Sequence, residues 1–504
     1  MTHEARFEML MREDSHGDLR TRSIRAAFWT SASSFFDFAL RMGSIAVTAR
    51  LIIPEHFGLF MMVTVVTGLI DQIRELGLSS ATVQRKSLSH AEASNLFWIS
   101  VSMGLGLAVL LLSASPLIAL YYREPRLICL SASLSINTLL GGLLIQHQAL
   151  LTRKLRMGST AAVRLLSSVL STGLCIWLAA LGHGYWALVA REISRTLIVV
   201  SGVWLCLPWI PSLPNRNVSV MPFLKFGGNL TITHVILNLC GGLDRFLLGR
   251  LFGAAPVATY RQAYQVVTTP NDQLLSPVYQ VVYPTLSRLQ TEPQRFRRYF
   301  GQLLMMVGVV TMPLSLFVAV FSSEVTLFLL GARWVDSAPV VRLLCISTFV
   351  KQCAGCSFFV LLSTGRTRAY RNLNLLNQTI SLVGVLSGVW WGPIGLAIAD
   401  VSVTYLMFYP RVYFALRGSP FTVGDYFSTL KRPFITSCVM GAALVILRTL
   451  LQDGTASNTV NVLVAGTGAA LFAGSAWIIQ PGGLAEIKSL FDVFKASARR
   501  KVVA

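Results

Sequence analysis

The sequence predicts an all-α polytopic membrane protein, and three observations predict it. Only 13% of the 504 residues are charged while 54% are apolar, whereas a soluble chain carries about 25% charge to solvate its surface. The apolar residues run in stretches of about 20 or more, the length that crosses a hydrocarbon core. The short gaps between those stretches alternate between rich and poor in Lys and Arg. A net charge of +21 also suits a nucleic-acid binder, but such proteins gather their cations on one solvated face. No nucleic-acid partner is expected.

Taken in order, runs bounded by charge, Gly or Pro place helices near residues 23–50, 54–75, 94–121, 127–150, 158–181, 185–206, 221–250 and 255–286. Six more follow near 298–321, 338–363, 369–391, 394–416, 433–451 and 459–479, which makes fourteen. Positive-inside counting tests the set, because one missed or invented helix would invert every later gap. With the N-terminus cytoplasmic, the inner gaps and both tails hold 29 Lys and Arg, Arg74, Arg153, Arg366 and Arg411 among them. The outer gaps hold six, namely Arg50, Arg123, Arg126, Arg250, Arg333 and Arg448. Both termini are therefore expected in the cytoplasm. Tyr121, Tyr122, Tyr185, Trp186, Trp390 and Trp391 fall at the outer ends, where amphipathic rings favour the headgroup layer.

Residues 1–22 mix both charge signs, and the run after them is long and contains Asp37 and Arg41, unlike a cleavable signal core. They are expected to stay as a cytoplasmic segment. At the other end, residues 480–504 form a basic tail in which Leu484, Ile487, Leu490, Phe491 and Phe494 make one helical stripe, the pattern of a surface-lying helix. The gaps are too short for a soluble catalytic domain, so no catalytic residue and no cofactor are expected. Cys353 and Cys356 form one CxxC, but a zinc site needs four ligands and no second pair accompanies it. The glycines at 384, 388 and 392, four apart, would let helices pack closely.

A weak internal repeat divides the chain. Residues 50–60 read RLIIPEHFGLF and residues 250–260 read RLFGAAPVATY, so Arg-Leu recurs at an offset of 200. The first copy follows helix one and the second follows helix seven. Two six-helix lobes, 23–206 and 221–416, joined by a cytoplasmic linker at 207–220, would then be related by a pseudo-twofold along the membrane normal. Two extra helices at 433–479 are an appendage.

Eight cations fall within the spans: Arg41, Arg164, Arg191, Arg195, Arg245, Arg261, Arg342 and Lys351. Each would cost about 2.5–3.5 kcal/mol facing lipid at the centre of a helix, so they must face partners or a cavity. Arg41, Arg195 and Lys351 are deep, while Arg191, Arg245 and Arg261 lie nearer helix ends and could snorkel. One reading makes them structural ion pairs, as between Asp37 and Arg41 one turn apart. The other makes them a cationic cavity for an anion such as phosphate. Asp37, Asp71, Asp272 and Asp400 are counter-ions on the first reading and candidate proton or sodium sites on the second.

A series of stretches stands out along the chain: RLIIPEHFGLF (50–60), ELGLSSATVQRKSLSHAEASNLFWISVSMG (75–104), YREP (122–125), QHQALLTRKLRM (146–157), GYWALVARE (184–192), FLKFGG (223–228), LDRFLLGRLFGAAPVATY (243–260), YPTLSRLQTEPQRFRR (283–298) and LLGARW (329–334). As a series they resemble a known family, the Wzx-type polysaccharide flippases of the multidrug/oligosaccharidyl-lipid/polysaccharide exporter superfamily, in the colanic-acid and teichuronic-acid exporter branch. The resemblance implies a two-lobed transporter, not an enzyme, that moves an undecaprenyl-diphosphate-linked glycan across the lipid bilayer of the bacterial inner membrane, driven by an ion gradient. It further implies a polysaccharide polymerase and co-polymerase as partners, and a cationic cavity for which Arg41, Arg195 and Lys351 are the first candidates. A cation-coupled drug exporter would more naturally carry an acidic cavity. A membrane polymerase or ligase would need a large outer loop.

Overall fold

In hydrocarbon a chain must satisfy each backbone N–H and C=O internally, so apolar stretches of this length become helices. The computed structural model describes Phe36 and residues 38–452, apart from 76, 86, 87, 155, 156, 216, 217 and 219. Every regular element among the described residues is helical. Helix α1 covers residues 38–51. It is followed by α2 (Pro54–Glu75), α3 (Leu78–Gln84), α4 (His90–Tyr122), α5 (Arg126–Arg153), α6 (Met157–Ala180), α7 (Tyr185–Cys206) and α8 (Met221–Phe252). Then come α9 (Ala254–Arg288), α10 (Pro293–Val320), α11 (Ser322–Leu329), α12 (Ala338–Ser363), α13 (Thr367–Gly388), α14 (Gly392–Leu416) and α15 (Val423–Gln452).

Twelve of the fourteen expected spans correspond to described helices, and the first is described from residue 38 on. The span at 459–479 and the stripe at 484–494 lie outside the described residues, as does Asp37. Two short helices, α3 and α11, occupy stretches expected to be gaps. Helix α15 starts at Val423 rather than near 433, because Thr422 and Asp425 cap each other: Asp425 N–H donates to Thr422 Oγ1 at 3.1 Å and Thr422 N–H to Asp425 Oδ2 at 3.0 Å. The same device starts α4 at His90, where Ser89 and Glu92 exchange backbone and side-chain bonds at 2.9 and 3.2 Å.

Eight described stretches are long and apolar enough to cross a membrane, and this is a multi-pass membrane protein. Leu105, Val109, Leu112 and Leu120 along α4 are more than half exposed or close to it, with Leu120 at 74%; a soluble monomer rarely shows so continuous an apolar strip. The long helices α7, α8 and α9 are not among the eight. They carry Arg191, Glu192, Arg195, Asp244, Arg245, Arg261 and Asp272, and these charges lower their apolar content.

The chain divides into two compact units between Ala258 and Thr259. In the first, α4 packs along α5, α6 along α7, and α2 against α5, α7 and α8. Phe97, Leu150, Leu151, Val203 and Trp209 form one of its cores. Trp209 belongs to the segment after α7, and that segment is laced to α4. The Trp209 indole donates to His90 Nδ1 at 3.1 Å, the Trp98 indole to the Ser212 carbonyl at 2.8 Å, and Asn95 bonds both the N–H and the C=O of Asn215 at 2.8 Å.

In the second unit α12 lies between α10 and α14, with α15 on α10 and α13 on α14. Phe296, Phe300, Leu304, Cys353, Cys356, Val412 and Tyr426 sit in its core. The expected close approach at small residues is present. A Cβ built at Gly388 on α13 would meet the carbonyl of Gly395 on α14 at 2.6 Å, so the two backbones touch there.

Candidate functional site

Each unit sets a partly exposed polar cluster against an apolar bundle. In the first, Asp71 and Arg74 stand one turn apart near the end of α2, 2.8 Å from each other. Arg74 Nη1 also donates to the Thr138 carbonyl of α5 at 3.1 Å, and the guanidinium fits because residue 141 of α5 is glycine. On α7, Arg195 Nη2 donates to Glu192 Oε1 at 3.0 Å. Both Glu192 and Arg195 lie within electrostatic reach of Asp71. Two acids and two cations on packed helices thus balance in charge.

In the second unit, Lys351 of α12 donates to Asp400 Oδ1 of α14 at 2.8 Å. Ser347, one turn before Lys351, donates to the other carboxylate oxygen at 2.6 Å. Its single proton being spent there, Ser347 accepts from Thr404, whose Oγ1 lies 2.9 Å away. The result is a carboxylate fixed by one charged and one neutral donor on a different helix. Asp272 of α9 is exposed and within electrostatic reach of Lys351.

The other sequence candidates are placed as follows. Arg41 is exposed on α1. Arg191 is half-buried on α7, and its charge reaches Cys175 on α6. Arg245 stays local on α8, 3.5 Å from Asp244 and donating to the Gly241 carbonyl at 3.0 Å. The Arg261 guanidinium lies 5.7 Å from the Tyr264 ring centroid. The structure therefore pairs Lys351 with Asp400, and places Asp71 within electrostatic reach of Arg195 and Asp272 within reach of Lys351.

Sequence reasoning did not single out Arg74, Ser347, Thr404 or Arg411. Ser347 and Thr404 each sit one helical turn from a candidate, and that spacing was their signal. Arg411, counted with the inner gaps, sits inside α14. Its Nη2 donates to Asn377 Oδ1 of α13, and its Cζ is 5.4 Å from the Phe358 ring centroid on α12.

A tight Lys–Asp pair in a membrane can do two things. Released, the ammonium can hold an anion through charge-assisted hydrogen bonds, and the carboxylate can take a proton or a metal cation in its place. Among the described residues no group of three or more His, Cys, Asp or Glu could hold a metal ion.

Residues 47–339 match the family described as polysaccharide biosynthesis protein. The chain belongs to that family. The matched stretch contains α2 through α11, and with them Asp71, Arg74, Glu192 and Arg195. Among curated relatives, the lipopolysaccharide biosynthesis protein WzxC of Escherichia coli (strain K12) is 26% identical, over 83% of this chain and 86% of its own. The succinoglycan biosynthesis transport protein ExoT of Rhizobium meliloti (strain 1021) is 25% identical over 87% and 89%. Among solved structures, the lipid II flippase MurJ in an inward closed conformation superposes with a TM-score of 0.72 at 15% identity, covering 90% of this chain and 98% of that one. That likeness establishes a shared fold.

Proposed function

We propose that this family member is an inner-membrane flippase that carries undecaprenyl-diphosphate-linked oligosaccharide units from the inner to the outer leaflet by alternating access, for an exopolysaccharide or lipopolysaccharide. Family membership across residues 47–339 carries the reading, and relatives named for polysaccharide biosynthesis along most of their length support it.

The physical need agrees with the residues. A lipid-linked diphosphate carries about two negative charges and a hydrated glycan, and neither crosses hydrocarbon without a lined path. In this reading cations within the spans meet the diphosphate, while the polyprenyl chain stays in lipid. In this reading Lys351, Arg195 and Arg41 meet the diphosphate, with Arg191, Arg245 and Arg261 as a second tier. Asp400, Asp71 and Asp272 exchange partners with the coupling ion. Both termini face the cytoplasm, and the delivered unit passes to a polysaccharide polymerase and its co-polymerase.

The test is a deletion strain. Its inner leaflet should accumulate an undecaprenyl-diphosphate-linked oligosaccharide and its surface should lose one polymer, both restored by the wild-type gene. Unchanged surface polymers, together with a gain in sensitivity to cationic drugs, would replace this reading with drug export.

A further inference from the structure

Arg411 differs from the ion-paired cations in both units. Among the described residues its contacts are a neutral amide, Asn377, and the face of Phe358, and no carboxylate is among them. Its Nε is buried with no hydrogen-bond partner. Arg245, Arg195 and Lys351 each lie within 3.5 Å of an acid. A guanidinium drawn into a bundle without a counter-charge carries a large desolvation cost, unless an anion joins it for part of its working life.

Its position relative to the Lys351 pair gives that anion a direction. Arg411 lies eleven residues after Asp400 on α14, which is three turns and about 16 Å on the same face. Phe358 lies seven residues after Lys351 on α12, two turns further on the same face. The two helices therefore present two rungs to each other. One is Lys351 with Asp400, already neutral. The other is Phe358 with Arg411, carrying one positive charge that no carboxylate among the described residues compensates, at the end of α14 that the positive-charge count assigns to the cytoplasm. Lys351 lies within electrostatic reach of Arg411.

We infer that Arg411 is the first docking point for a diphosphate group entering from the inner leaflet, held there before it moves up to Lys351. The inference rests on the flippase reading and adds an order of engagement to it. A guanidinium N–H suits a phosphate oxygen through a charge-assisted hydrogen bond. Asn377 holds Nη2, Phe358 covers one face and Nε is buried, so Nη1 is the nitrogen left to meet the phosphate. At the second rung the arriving anion takes the Lys351 ammonium from Asp400, and Ser347, itself held by Thr404, keeps the released carboxylate hydrogen-bonded.

The test uses the full chain in lipid nanodiscs, with undecaprenyl diphosphate, undecaprenol and inorganic pyrophosphate as separate probes. Wild type should bind undecaprenyl diphosphate and not undecaprenol. Arg411→Gln should weaken that binding about tenfold or more, and Arg411→Lys should recover part of it, with both melting temperatures recorded. Phe358→Leu removes the ring contact and keeps the cation; it should cost stability while leaving affinity within about threefold. Tighter binding of the lipid than of pyrophosphate assigns the diphosphate to a lipid, and equal binding assigns it to a free anion; both support the site. If wild type binds undecaprenyl diphosphate and Arg411→Gln and Arg411→Lys bind it equally well, Arg411 is a strut between helices and the inference fails alone. If wild type itself binds no diphosphate probe, the flippase reading fails with it.

Discussion

Gly141 of α5 lies directly beneath the Arg74 guanidinium of α2, so close that a Cβ at 141 would overlap it. The Arg74 side chain can reach Thr138 only because that space is open. An exposed glycine inside a helix normally costs about 0.5–1 kcal/mol relative to alanine, so Gly141→Ala would stabilise a site with free space. Here it is expected to destabilise by about 1–3 kcal/mol, as overpacking does. Denaturant unfolding in detergent measures the sign. Arg74→Ala combined with Gly141→Ala should be less costly than the sum of the two, since removing the guanidinium frees the space.

Lys351 and Asp400 form a pair in which each compensates the other. Removing one leaves an uncompensated charge, at a cost of about 3–5 kcal/mol when fully buried. The pair is partly open, with Lys351 37% exposed, so about 1–3 kcal/mol is expected for Lys351→Met or Asp400→Asn alone. The double variant should regain most of that stability and none of the polymer export. Melting curves and an export assay on the same three variants separate the two effects. Export surviving in the double variant would remove Lys351 and Asp400 from the transport path.

The helices were legible because hydrocarbon imposes a length and an apolar content that few other structures need. What escaped was local. Helix α15 was placed to begin at Pro433 because proline usually ends a helix. Yet Thr436 and Ser437 both donate to the Pro433 carbonyl, at 3.0 and 2.6 Å, and the helix runs through. The depth of Lys351 and Asp400 could be read from the run lengths. Their partnership could not, because 49 residues separate them and no periodicity reports which faces meet. Arg411 was counted with the inner gaps, but the direction of its helical face decides, and the face is set by packing on α12 and α13.

Glu124 and Arg126 give a pH dependence at the end of α4 and the start of α5. Arg126 donates Nε and Nη2 to the two carboxylate oxygens of Glu124 at 2.8 and 3.0 Å, and Nη2 also lies 2.5 Å from Glu55. The guanidinium hydrogen bonds hold the Glu124 carboxyl below its ordinary range, against a smaller opposing effect of burial. A carboxyl lowered in the folded state adds stability above its unfolded-chain value of about 4.3. That stability is lost as the pH falls through the folded value. Arg126→Gln should therefore lose about 0.2–1 kcal/mol at neutral pH, as exposed pairs do. The difference from wild type should begin to narrow below about pH 4.3 and close on further acidification. Melting temperatures across that range, at fixed salt, measure it; a gap independent of pH would show that Arg126 acts by packing alone.

Trp209 ties the segment after α7 to the first unit through two separable contributions, and substitution can take them apart. Its ring is 3% exposed among Phe97, His147 and His90, while its indole N–H satisfies His90. Trp209→Phe keeps most of the apolar contact and removes the donor, so about 0.5–1.5 kcal/mol is expected. Trp209→Ala removes both and should cost about 3–5 kcal/mol. Asn95→Ala breaks the bonds to Asn215 without touching the ring. If the segment is held as one strap, Asn95→Ala and Trp209→Phe should together cost more than their sum, because the pair leaves the bonds at Ser212 to carry the segment. Proteolysis between 207 and 218 reads the outcome directly: cleavage should rise steeply only in the double variant, and equal cleavage in each single variant would mean that the anchors act independently.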